Sequence, residues 1–261
     1  MEVLLGVFVA LGMILLGNTI EGGHIGSIIG GPAFMIVVGG TIGAVIVQFP
    51  LATIKGALSG AMGTFKKMKN DPQKLIEEIV GYANLARKDG ILALEKLAPQ
   101  ASDPFLAKAL MMAVDGADSN TLRETMELAI HHHEEHGEDG AKVFEAGGGY
   151  SPTIGIIGAV LGLIHVMANL SDINAVGSGI AAAFVATIYG VAAANIFFLP
   201  LAGRIKMRVR EECNMLNMML AGVLAIQEGM NPKLVQERLG EFAPSHGKGK
   251  AHGCAMEPAK A

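Results

Sequence analysis

The residues best suited to chemistry stand together at His131-His132-His133-Glu134-Glu135-His136. Imidazoles and carboxylates are ordinary zinc ligands, and on a helix His132 and His136 lie one turn apart, near enough to share a metal. The spacing is not that of the zincins, where Glu directly follows the first of two His four apart. A solvated helical face is the preferred reading, with a membrane-anchored metal-dependent enzyme as its competitor. A second cluster flanks Gly90: Arg87, Lys88 and Asp89 on one side, Glu95 and Lys96 on the other. It is either a solvated turn, where exposed charge contributes little, or a docking surface on which charge orients a partner. A third set is sparse and lies in apolar sequence: His165, Thr187 and Tyr189. No Ser-His-Asp arrangement, phosphate loop or Gly-x-Gly-x-x-Gly fingerprint is present. The glycines at 147–149 precede an apolar helix rather than following a strand, so they fail the context test for nucleotide binding. Cys213 and Cys254 lie in polar C-terminal sequence without metal spacing, so neither a metal site nor a disulfide framework is expected.

The elements that must position these groups are set by where charge is missing. Lys and Arg are absent from residues 1–54 and from 143–203. Mean hydropathy is +0.44 and charged residues make up 17 % of the chain, both signs of a membrane protein. About 20 apolar residues cross a bilayer as a helix, and each window holds two such runs. The expected crossings are about 4–20, 33–50, 152–170 and 178–201, with polar breaks at Glu21-Gly22-Gly23-His24 and at Ser171, Asp172 and Asn174. No cleavable signal peptide is expected, because Glu2 precedes the first run and no basic segment does. Neither hairpin turn carries Lys or Arg, while Lys55, Lys66, Lys67, Lys69, Arg204, Lys206, Arg208 and Arg210 crowd the other ends. The positive-inside bias then places both termini and the central segment in the cytoplasm. Gly39 with Gly43 and Gly158 with Gly162 are spaced for close helix contact, within one subunit or between subunits.

Outside the windows the pattern is helical. Asp71-Pro72, Asp103-Pro104 and Asn231-Pro232 each read as an N-cap followed by proline in the first turn. Thr121 and Glu124 have capping-box spacing ahead of a run through about His136. The resulting fold class is an all-α membrane protein: a transmembrane hairpin at 1–50, a cytoplasmic helical domain at 51–150, a second hairpin at 151–203, cytoplasmic helices at 204–242 and a disordered tail at 243–261. The slightly acidic net charge of −4 gives no hint of nucleic-acid binding.

No Asp, Glu, Lys or Arg falls inside any expected crossing. Proteins that move ions usually place an ionisable group at depth, so if this chain conducts, a partner supplies the carboxylate. Thr187 then lines a pore; otherwise it hydrogen-bonds its own backbone one turn earlier. His165 either titrates or sits neutral and hydrogen-bonded between helices.

Taken together, these segments resemble the flagellar stator A subunits, the MotA/PomA family. PAFMIVVGGTIGAVIVQFP at 32–50, SPTIGIIGAVLGLIHVM at 151–167 and AAFVATIYGVAAANIFFLPLAGRIK at 182–206 are similar to that family's last three crossings. The resemblance implies an ion-conducting, non-enzymatic subunit in the bacterial inner membrane, without cofactor. It implies five A subunits around two B subunits, the B chain supplying a membrane aspartate, and a ring that turns the rotor. By position it implies that Arg87, Lys88 and Glu95 meet the rotor protein FliG. It implies that Pro152 and Pro200 couple ion flow to the cytoplasmic part, and that Thr187, with Phe184 one turn earlier on the same face, looks toward the partner's aspartate. Sodium-driven members carry Thr where this chain has Ala159. A sodium ion needs several oxygen ligands and a proton does not, so H+ is the expected driving ion and Na+ the alternative. A three-crossing energiser of the ExbB/TolQ type is the competing function.

Overall fold

The computed structural model describes residues 2–65, 71–168 and 170–242. The tail at 243–261 with Cys254, and Lys66, Lys67 and Lys69 of the orientation argument, lie outside the described residues. Among the described residues every regular element is helical. The chain divides into two compact units, Met1–Met68 with Leu128–Cys213 and Lys69–Glu127 with Asn214–Ala261.

In the first unit, helix α1 spans Glu2–Ile20 and a 3-10 turn follows at Ile25–Ile28. Helix α2 spans Gly31–Gln48, with a π-turn at Met35–Gly39, and Thr41 just after it donates its hydroxyl to the Val37 carbonyl at 2.6 Å. Phe49, forced toward extended backbone by the proline after it, has φ −121° and ψ 142° and ends α2. Helix α3 then runs Leu51–Gly63.

Proline is expected to break or begin a helix, and Pro152 does neither. Helix α6 runs unbroken over Ser119–Ala168, 50 residues with Pro152 inside. At 1.5 Å per residue this is roughly 75 Å, far more than a bilayer core. The expectation that a helix begins at Pro152 is therefore corrected: the helix begins far upstream, at Ser119. Proline removes one ladder bond and its ring crowds the carbonyl four residues back, which here belongs to Gly148. The helix continues all the same, with close neighbours on this turn. An ideal Cβ at Gly148 would lie 2.7 Å from Leu199 and one at Gly147 2.8 Å from Phe198. Helix α7 spans Ile173–Ala192, a π-turn covers Ala193–Phe198, and α8 runs Leu199–Gln227 without a break. Pro200 lies two residues past the end of that π-turn, where the normal ladder loses a donor.

Three of these stretches are long and apolar enough to cross a bilayer: Gly31–Gln48 and parts of Ser119–Ala168 and Val176–Gln227. Leu5–Ile20 is a shorter apolar helix.

In the second unit, α4 spans Pro72–Asp89, 3-10 turns cover Ile91–Leu94 and Ala98–Gln100, α5 spans Pro104–Val114 and α9 spans Pro232–Gly240. Residues 119–127 and 214–227 belong to α6 and α8. Three proline-preceded caps behave as their sequence says. Asp71, Asp103 and Asn231 accept from the amides of Gln73, Phe105 and Lys233 at 3.1, 2.8 and 3.1 Å. The capping box at Thr121 and Glu124 is corrected. The cap of α6 is Asp118, which accepts from the amides of Asn120 and Thr121 at 3.0 Å each and from the Thr121 hydroxyl at 2.5 Å. Leu75, Ile79, Leu106, Leu122, Met218 and Leu239 are fully buried in this unit. Gly222 permits the closest approach, since a Cβ there would lie 2.7 Å from Ile79.

Candidate functional site

The seam between α6 and α7 fixes the positions of the membrane hydroxyl and its neighbours. Cβ atoms built at Gly155, Gly158 and Gly162 would fall 2.9, 2.9 and 3.1 Å from Ala186 O, Ala186 Cβ and Ala183 Cβ. One at Gly190 would fall 2.6 Å from the Ser151 carbonyl. The partners step in opposite directions, so the helices are antiparallel and nearly in backbone contact. Such approach is open only to small residues. Buried Ser151 closes the seam by donating its hydroxyl to the Gly190 carbonyl at 2.7 Å, a bond worth about 1 kcal/mol. Sequence reading passed over Ser151, because nothing in its type distinguishes it from a loop serine.

Ala159, Phe184 and Thr187 each follow a seam residue by one position: Gly158, Ala183 and Ala186. A step of one residue turns about 100°, and on antiparallel partners that turn leads to the same side. All three therefore flank the seam on one side, Ala159 and Thr187 half-buried and Phe184 exposed. Phe184 thus shares its side with Thr187. The Thr187 hydroxyl donates to the Ala183 carbonyl at 3.4 Å, so the backbone-bonded alternative is present. That bond uses the one proton of the hydroxyl and leaves oxygen lone pairs to accept or ligate.

Tyr189 is a staple. Its hydroxyl donates to the Ile28 carbonyl at 2.7 Å and accepts from the Gly30 amide at 3.1 Å, and its ring meets Phe34 edge to face at 6.3 Å. It ties α7 to the entry of α2, beside buried Ala33, Val185 and Ala186. His165 is exposed on α6. Pro152 is half-buried and Pro200 exposed. Pro200 follows Leu199, the residue that packs on Gly148 four positions before Pro152.

The histidine run is exposed. His131 and His132 each approach Glu135, at 3.4 and 3.8 Å. His133 Nε2 lies 3.0 Å from Glu212, whose other oxygen accepts from Arg208 Nε at 2.7 Å. His132 faces Glu135 while His136 lines a cavity of about 470 Å³ with Gly56, Gly60 and Glu212. No group of three metal-ligating side chains converges among the described residues. Cys213 is buried, and burial, reinforced by the negative charge of Glu134, Glu212 and Glu138, pushes its thiol pKa up. It is a poor nucleophile.

In the second unit Arg87 and Lys88 occupy the last turn of α4, where cations favour the negative helix end. Gly90 follows with φ +84°, a conformation costly for side chains other than glycine's. Glu95 follows the next turn. Arg87, Lys88, Asp89, Glu95 and Lys96 are all exposed, and Leu94 between them is buried. The turn thus presents opposite charges around a buried leucine.

This combination has relatives. Residues 4–90 match the family described as Motility protein A N-terminal, and residues 97–218 match the MotA/TolQ/ExbB proton channel family. Motility protein A of Bacillus subtilis (strain 168) is 33 % identical over 246 residues, covering 93 % of this chain and 90 % of its own length. The chain belongs to the motility protein A family. Chemotaxis protein PomA of Vibrio alginolyticus is 34 % identical over 235 residues, with 90 % of each chain covered. The structure of C. jejuni MotAB superimposes with a TM-score of 0.89 at 29 % identity, covering 94 % of this chain and 96 % of that one. As a motility protein A, the chain is an ion-conducting subunit of the flagellar stator.

Proposed function

We propose that this chain crosses the inner membrane four times, as two hairpins, and couples proton flow to torque. The first crossing is α1, the second α2, the third the end of α6 and the fourth α7 with the start of α8. Lys55, Arg204, Lys206, Arg208 and Arg210 favour cytoplasmic termini. One observation carries the reading: Ala159, Phe184 and Thr187 flank one side of a glycine-packed seam, within spans that hold no Asp, Glu, Lys or Arg. A hydroxyl with free lone pairs, in a wall without fixed charge, suits a titrating carboxylate brought by another chain. A MotB-like B subunit supplies that aspartate, with five copies of this chain around two of it. Alanine at 159 removes the oxygen that a sodium cage would use, which favours protons. Pro152 and Pro200 form the joint through which ion flow reaches the cytoplasmic part. Arg87, Lys88 and Glu95 dock on the rotor protein FliG.

The docking turn is tested by charge reversal. Arg87→Glu, Lys88→Glu and Glu95→Lys should each reduce swimming, and the reversals combined should abolish it while purified complexes keep their assembly size. Normal swimming by the combined variant would reject the rotor contact.

A further inference from the structure

The charges assigned to the rotor contact come from two pieces of backbone. Arg87 and Lys88 belong to α4, whereas Glu95 and Lys96 belong to the segment 91–102 that follows it. Opposite charges orient a partner when their spacing matches its own, and a segment that must order itself on docking weakens the contact. The segment therefore needs to be held against the helix beforehand. At its start stands Gly90 with φ +84°, and the turn Ile91–Leu94 after it lies against α4. In its middle Leu94 and Ala98 are fully buried. Its far end is held by a carboxylate. Half-buried Glu78 accepts from the Ser102 amide at 3.0 Å and from the Tyr82 hydroxyl at 2.8 Å with one oxygen, and from the Ser102 hydroxyl with the other.

Glu78 sits about 18 Å, just over three turns, back along α4 from Gly90. The segment thus doubles back beside the helix and is fastened where it leaves. Bonds accepted by an ionised carboxylate are the stronger kind, which suits a fastening at the exposed Ser102. Tyr82, one turn from Glu78, stays a donor: burial, reinforced by the hydrogen bond and charge of Glu78, pushes its phenol above the ordinary range. Helix α5 already has its cap in Asp103, so the bonds to Ser102 are not needed to start that helix. We propose that Glu78, with Ser102 and Tyr82, is a positioning group for the rotor contact: it latches 91–102 along α4 and sets the spacing of Glu95 and Lys96 from Arg87 and Lys88. The inference rests on the docking reading of that turn.

The test uses the full chain co-expressed with its B-type partner, scored by swimming and, on the purified complex, by amide hydrogen exchange. Glu78→Ala should speed exchange between Ile91 and Ser102 roughly tenfold or more, the factor for losing one charge-assisted hydrogen bond. It should leave Leu106 to Leu110 of α5 unchanged and cut swimming severalfold, while assembly size and proton conduction in proteoliposomes hold. Ser102→Ala, which keeps the amide bond, should have a smaller effect of both kinds. Ser102→Thr, which keeps both donors, should have neither. Unchanged exchange in 91–102 overturns the proposal, and so does faster exchange there with normal swimming. Exchange raised equally in α5, or loss of assembly, makes Glu78 a folding residue and overturns it as well. Should Glu78→Ala not be obtained, Ser102→Ala against Ser102→Thr decides by the same readouts. The docking reading fails separately: normal swimming with Arg87, Lys88 and Glu95 all reversed removes that reading and the latch with it. Lost swimming in that variant, beside normal swimming of Glu78→Ala and Ser102→Ala, refutes the latch alone.

Discussion

At the scale of single residues, the α6–α7 seam separates glycines that are required from glycines that are not. A Cβ at Gly190 meets carbonyl oxygen and backbone carbon, which cannot turn aside, whereas one at Gly149 meets nothing within 4 Å. Gly190→Ala should destabilise the protein by about 1–3 kcal/mol, the usual cost of forcing atoms into packed space. Gly149→Ala should be neutral or stabilising by up to about 1 kcal/mol, since alanine is the better helix former. Thermal unfolding in detergent, followed by circular dichroism, checks both, and equal melting temperatures would refute the seam argument. Thr187 makes the opposite kind of prediction. Its hydroxyl contributes little to packing, because its bond to Ala183 is long at 3.4 Å. Thr187→Val should therefore preserve assembly and stability while lowering proton flux, and Thr187→Ser should restore flux. Unchanged flux in the valine variant would remove Thr187 from the pathway. Sequence made the Thr187 hydroxyl visible, being one of few polar groups in an apolar run. The roles of Ser151 and Tyr189 were not visible, because each depends on a carbonyl distant in sequence, Gly190 in one case and Ile28 in the other.

At the scale of elements, the proline-preceded caps were legible because the signal is local: a short polar side chain and two amides within three residues. The start of α6 shows how such signals compete. Asp118 and Thr121 are both good caps, and a carboxylate that already receives two amides and a hydroxyl wins. Those donors, the Thr121 hydroxyl first, hold the Asp118 carboxyl below its ordinary pKa of 3.8. A depressed carboxyl stabilises the folded state fully above the unfolded pKa and loses that contribution as pH falls through the folded one. The first turn of α6 should accordingly stay protected down to below pH 3.8 and open on further acidification. Thr121→Val should move that opening to higher pH. Amide hydrogen exchange at Asn120 and Thr121, measured against pH, checks it, and an unmoved midpoint would reject the cap assignment. The unbroken length of α6 was illegible for a related reason. Pro152 is a strong local stop signal, and the helix nevertheless runs through it where Phe198 and Leu199 approach Gly147 and Gly148.

At the scale of the whole molecule, the most informative property is an absence that spans distant segments: no Asp, Glu, Lys or Arg between 22 and 54, or between 146 and 171. An unneutralised charge at bilayer depth costs several kcal/mol, so a wall without one is inexpensive to insert and closed to ions by default. A wall without Asp, Glu, Lys or Arg offers a proton no carboxylate to hold it midway. Proteoliposomes holding this chain alone should leak protons no faster than empty vesicles under an imposed pH gradient. The chain with its B-type partner should conduct, and replacing the partner's membrane carboxylate with an amide should return conduction to the level of the chain alone. External sodium should leave the rate unchanged, because Ala159 offers no side-chain oxygen for a cage, and Ala159→Thr is the substitution to test for sodium dependence. Conduction by the chain alone at the rate of the pair would mean that the partner's carboxylate is dispensable.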